Sequence, residues 1–166
     1  MASENNRLIQ SALSPALKAD GFKKSAATWR RANSETICVF NIQGSQWGPS
    51  FYLNLGVYFR SLGDNEQPAE YHCHLRVRLE ELVSDRSRLI QLLNFESRVE
   101  LSSRLSELKE LVTNHGLPWL HAVSTISGAQ HAVQSSATPA AWITAEARQL
   151  LAPNSSLKRT NQSLRD

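Results

Sequence analysis

The chain has 166 residues, 41% hydrophobic and 20% charged, with a formal net charge of +3, enough apolar material for one globular domain with its own core. Its apolar runs, such as "TICVF" and "LVSDRSRLIQLL", are short or broken by charge and fall far below the roughly 18–20 residues of a membrane span. Most of the positive balance comes from Lys158, Arg159 and Arg165 in the polar tail "PNSSLKRTNQSLRD", so the body is close to neutral and lacks the basic footprint of a nucleic-acid binder.

These features predict a single α+β domain over residues 1–152 and a disordered basic tail over 153–166. The opening "MASENNRLIQ" has neither the basic nor the long apolar region of a secretory signal, which predicts a cytoplasmic protein without membrane association. In that setting Cys38 and Cys73 are expected to be reduced, buried thiols.

In chain order, Leu8, Ala12, Leu13, Ala16 and Leu17 recur at helical spacing, predicting a helix over residues 3–20 that Gly21 stops. Pro15, with Ser14 as a cap, predicts a break into two helical pieces. Over residues 26–79 the period changes to two, and the runs are separated by "RANSE", "GSQWGPS" and "SLGDNEQPAE", which predicts antiparallel strands. The first is "ATWRR". In "TICVFNIQ" one face carries Cys38, Phe40 and Ile42, and the other ends in Asn41 and Gln43. In "FYLNLGVYF", Phe51, Leu53, Leu55, Val57 and Phe59 face one way, and Tyr52, Asn54, Gly56 and Tyr58 the other. A fourth strand, "HCHLRVRL", would turn Cys73, Leu75, Val77 and Leu79 to the core and His72, His74, Arg76 and Arg78 to the polar face.

After Leu79 the helical period returns. Val99, Leu101, Leu105, Leu108, Leu111 and Val112 form an apolar stripe that His115 and Gly116 close. Its length of about two heptads suits a core helix better than a coiled coil. "STISGAQHAVQSSA" reads as loop or loose helix, and Thr138 with Pro139 as the N-cap and first turn of "PAAWITAEARQLLA". The fold class is therefore α+β, two-layered, with an antiparallel sheet of about four strands packed on helices and a helical C-terminal half.

The candidate site is the polar sheet face, where the ligand-binding candidates are Tyr52, Asn54, Tyr58, His72, His74, Arg76 and Arg78. His72 and His74 could share a metal, but zinc takes three or four protein ligands and no third is apparent. Two arginines on the same face favour an anion over a dication, so neither metal nor cofactor is expected. A catalytic role for Cys73 is disfavoured because on a strand it faces away from both histidines. The chain has no nucleophile elbow, P-loop, dinucleotide fingerprint or H-E-x-x-H.

Trp47 in "GSQWGPS" is a candidate partner contact or a cover for the sheet edge. Lys23, Lys24, Arg30, Arg31 and Arg60 read as solvated surface. Tyr52 and Tyr58 lack the aromatic–glycine signature of RNA-recognition sheets.

The succession "GFKK", "TWRR", "FNIQGSQWG", "FYLNLGVYF" and "PAEYHCHLRVRLEEL", over roughly residues 8–82, resembles the bacterial family catalogued as domain of unknown function 4304. The resemblance implies a cytoplasmic bacterial domain and carries no catalytic residue to any position. Two readings of function follow. One is a non-catalytic binding or interaction module that uses the polar sheet face, with a protein or a small anionic ligand as partner. The other is an enzyme of unrecognised design with a His/Arg-lined site on the same face.

Overall fold

A computed structural model describes residues 3–135 and 141–153. The first helix, α1 (Glu4–Ala19), starts where the Asn6 N–H donates to the Ser3 hydroxyl at 3.3 Å. It buries Ile9, Leu13 and Leu17. It is one helix, not the two pieces expected from Pro15. Pro15 and Ser11, whose carbonyl the proline cannot serve, both lie on the exposed face, where water replaces the missing bond. The helix stops as predicted at Gly21, whose φ of +87° suits glycine.

Six strands follow in one antiparallel sheet whose spatial order is the chain order: β1 (Lys23–Ser25), β2 (Thr28–Ala32), β3 (Thr36–Gly44), β4 (Phe51–Phe59), β5 (Leu75–Arg78) and β6 (Trp142–Ile143). The two strands beyond the expected four, β1 and β6, have three and two residues, too few to show a period. β6 occupies a stretch that the sequence reads as helix. The helix there, α6 (Ala145–Leu150), begins only after Thr144 has capped it. Thr138 and Pro139, the expected cap and first turn, lie outside the described residues, as does the tail beyond Pro153.

The remaining helices are α2 (Arg86–Leu93), α3 (Leu101–Leu111), α4 (Leu117–Ala122) and α5 (Ile126–Gln134). The expected stripe buries Leu108 and Val112 fully, but Leu101, at the first turn of α3, is 43% exposed. Gly116 is not a C-cap. It lies in right-handed helical conformation within a π turn, Val112–Gly116, that links α3 to α4. A β-carbon there would meet Leu55 and Leu79 at 3.4 Å, so the glycine serves close packing on the sheet.

One sheet face, with Trp29, Cys38, Phe40, Leu55, Val57, Leu75 and Val77, shares a core with Leu13, Leu89, Leu108 and Leu120 of the helices. This is the expected two-layer arrangement. A separate small cluster of Ile37, Val39, Tyr58 and Cys73 lies on the opposite face and contains no helix residue.

Arg104 of α3 is 2% exposed. It donates to the carbonyls of Gln91, Leu92, Asn94, Ser97 and Val99 and to the Ser97 hydroxyl. Its guanidinium lies over Phe95. Carbonyls at the end of α2 and in the segment that joins it to α3 are thus served by a charge from the next helix.

Candidate ligand-binding site

Strand register assembles the polar face in straight rows. Thr28, Asn41, Asn54 and Arg78 are successive cross-strand partners from β2 to β5. The adjacent row runs across all six strands through Lys23, Arg30, Val39, Gly56, Arg76 and Trp142.

Gly56 shapes what lies above. The position its β-carbon would take is 2.8 Å from Cβ and Sγ of Cys73. The missing side chain therefore lets the segment before β5 descend onto this face. That segment forms a 3-10 turn, Glu70–His72, in place of the strand expected from His72 onward. The expected register is thus corrected at Cys73: it packs with Ile37, Val39 and Tyr58 on the polar-face side, and the alternation holds only from Leu75 on. Both cysteines are nevertheless free and buried, and burial raises the pKa of each thiol.

The lowered turn walls one end of a cavity of about 850 Å³ over the sheet. Glu80 and Glu81, from the 3-10 turn after β5, and Arg86, the first residue of α2, also line it. So do Asn41, Gln43, Asn54, Arg76 and Arg78.

The amides on the floor fix one another. Asn54 Nδ2 donates to Gln43 Oε1 at 2.9 Å and to Asn41 Oδ1 at 3.3 Å, and Asn41 Nδ2 donates to Thr28 Oγ1 at 3.0 Å. Both amide hydrogens of Asn54 are spent, which leaves its carbonyl oxygen as an acceptor.

Each of the two arginines is backed by an aromatic ring. The Arg76 guanidinium lies 4.0 Å from the Trp142 ring centroid and that of Arg78 4.0 Å from the Tyr52 centroid. As residues i and i+2 of a strand, they present their heads on one face at backbone positions about 6.6 Å apart. Arg76 reaches the Glu70 carboxylate only at 3.5 Å, and its Nε is shielded from solvent without a hydrogen-bond partner. Arg78 forms no ion pair among the described residues.

Of the residues expected on this face, Asn54, Arg76 and Arg78 meet in the cavity, and Tyr52 supports Arg78 from beneath. Tyr58 lies under the β4–β5 loop, where its hydroxyl oxygen accepts the Asn65 N–H at 3.3 Å. His72 is exposed on the 3-10 turn, with Nδ1 accepting from the Ala69 N–H at 3.2 Å. His74 Nδ1 accepts the Phe59 N–H at 3.0 Å, which places the proton of the neutral ring on Nε2. Burial lowers the pKa of this imidazole. Neither histidine lines the cavity.

Sequence reasoning missed Glu70, Tyr71, Glu80, Glu81, Arg86 and Trp142. Glu80 lies past the end of the strand, in a 3-10 turn, Leu79–Glu81, and nothing local marks Trp142 as a partner of Arg76. Trp47 stands 88% exposed at the β3–β4 turn and does not cover the sheet edge. Arg31 and Arg60 of the basic set are engaged by Asp20 and Glu66, and Lys24 lies over Trp29.

Fold and site together define an α+β protein with an antiparallel six-stranded sheet, helices on one face and a polar, arginine-bearing cavity on the other. Among the described residues no helix is long and apolar enough to cross a membrane, and no group of three or more His, Cys, Asp or Glu could hold a metal ion. The chain belongs to the family described as Domain of unknown function (DUF4304), whose model matches residues 13–122, about two thirds of its length. The match runs on through α4, well past the stretch in which the resemblance is visible by eye. No curated protein and no solved structure matches the chain.

Proposed function

We propose that the chain is a non-catalytic binding module whose polar sheet face takes a small anionic ligand. The observation that carries this reading is Arg78: a cation held against Tyr52 in a cavity, with no acidic partner among the described residues. Arg76 beside it also lines the cavity and is paired only loosely, with Glu70 at 3.5 Å. Two guanidinium groups on one face suit the forked recognition of phosphate or carboxylate.

A catalytic reading of the same face has less support. His74 Nδ1 is taken up by a backbone N–H, Cys73 is buried beneath the turn, and the cavity lining contains no nucleophile beside a base. Two free thiols fit a reducing cytoplasm.

Titration with inorganic phosphate, followed by backbone amide shifts, tests the reading. Saturable shifts are expected in β5 and at Asn54, and Arg78→Ala should weaken binding by about tenfold, one lost charge-assisted contact, without changing thermal stability. An Arg78→Ala protein that binds phosphate as the parent does would refute it, as would the absence of saturable shifts.

A further inference from the structure

Two residues beyond Arg78 the same cavity holds an opposite charge whose pairing within the protein is long. The Glu80 side chain is only 8% exposed and lines the cavity. Among the described residues it makes no hydrogen bond. Its one ion-pair contact is with Arg86 Nη2 at 3.8 Å. That guanidinium is 56% exposed and turned to Glu81, which its Nη1 meets at 2.9 Å. A carboxylate with so little exposure is costly unless it is well paired and hydrogen-bonded, and here the protein supplies one long ion pair and no hydrogen bond among the described residues.

The cavity therefore has two complementary deficits: an anion is missing at Arg76 and Arg78, and a closely held cation at Glu80. Glu80 follows Arg78 by two residues, in a 3-10 turn, Leu79–Glu81, and the two side chains line the same cavity. A ligand hydroxyl could hydrogen-bond Glu80 but would leave its charge uncompensated, and a divalent ion would lack the further ligands it needs. An ammonium group answers both the charge and the hydrogen-bond deficit, with three N–H donors at a point.

We infer that the ligand is a zwitterion, its carboxylate or phosphate held by Arg76 and Arg78 and its ammonium group by Glu80, the two ends several bonds apart. The inference rests on the anion-site reading above and adds to it the acidic subsite.

The test is calorimetric titration of the full chain with 5-aminopentanoate, a flexible zwitterion whose charged ends are several bonds apart, and with pentanoate, which lacks the amine. The amino acid should bind about tenfold more tightly than the simple acid, as a closely paired buried charge would give. Glu80→Gln, nearly isosteric and uncharged, should remove that advantage and leave pentanoate binding as tight or tighter. Arg78→Ala should weaken both probes. Equal affinities in the parent protein, or an amine advantage that survives Glu80→Gln, would overturn the zwitterion. Arg78-dependent binding of pentanoate without any amine advantage refutes the acidic subsite alone. Failure of pentanoate and phosphate alike refutes both readings. Should Glu80→Gln not fold, Glu80→Asp asks the same question, since the retracted carboxylate must then reduce the advantage severalfold.

Discussion

Replacing Arg104 by methionine tests whether a buried cation ties α2 to α3. Methionine keeps the unbranched stem beside Phe95 but removes every N–H that now reaches Gln91, Leu92, Asn94, Ser97 and Val99. A single hydrogen bond to a charged group contributes about 1.5–3 kcal/mol, but bonds shared by one guanidinium do not add. The carbonyls of Gln91 and Asn94 keep the Ser97 hydroxyl and backbone N–H groups as donors, so the loss falls on Leu92, Ser97 and Val99, at about 1–3 kcal/mol for each acceptor left dry. Arg104→Met should therefore lower unfolding stability by about 3–5 kcal/mol and the melting temperature by on the order of 10 °C for a chain of this size. Urea unfolding should show a lower midpoint with an unchanged slope, the sign that stability and not compactness has altered. Arg104→Lys should recover less than half of the loss, because an ammonium cannot span carbonyls from five residues. An Arg104→Met protein within about 1 kcal/mol of the parent would refute this account, since it would mean that water reaches those carbonyls.

Gly56→Ala should cost about 1–3 kcal/mol by overpacking, because the new methyl meets Cys73 at 2.8 Å. It should also speed the reaction of Cys73 with a thiol reagent as the turn lifts. Unchanged labelling would show that the turn does not depend on that gap. For His74 the unfolded chain takes up a proton at the ordinary value of 6.5, while the half-buried native ring, despite the opposing pull of Glu146, resists it. Stability should therefore fall as pH drops through and below 6.5 until the lower native value is passed. His74→Gln should flatten that slope in urea midpoints taken between pH 7.5 and 5, the window set by the ordinary histidine value, and a slope that persists in the variant would assign the effect elsewhere.

The long strands were legible because both obey a period of two over nine residues: Leu53, Leu55 and Val57 could only face a core, and Asn54 could only face away from it. The alternation misleads at Cys73 because its conformation is set by a contact across the sheet, the space above Gly56, which no neighbour in sequence records. Pro15 misleads for a related reason, since the tolerance of α1 depends on which side of the helix meets water. Arg76 and Arg78 were visible as a pair, but not the features that give them their chemistry: Tyr52 and Trp142 behind them, and Glu80 beyond the end of the strand. His72 and His74 drew attention by adjacency alone, and the backbone turns them to structural work.

The pairing of Trp142 with Arg76 also imposes an order on assembly. β1 to β5 form a meander of neighbours, and such local contacts close early and cheaply in entropy. β6 must return across α2, α3, α4 and α5 before it can add to β5. Until then the outer rim of β5 presents unpaired backbone groups to any extended chain nearby. The ring that steadies Arg76 thus arrives with the last strand to join the sheet, from a segment outside the part of the chain that the family model matches. The arginine row lies inside the matched region and its tryptophan wall outside it, so the two sides of one cavity come from parts of the chain that are far apart in sequence.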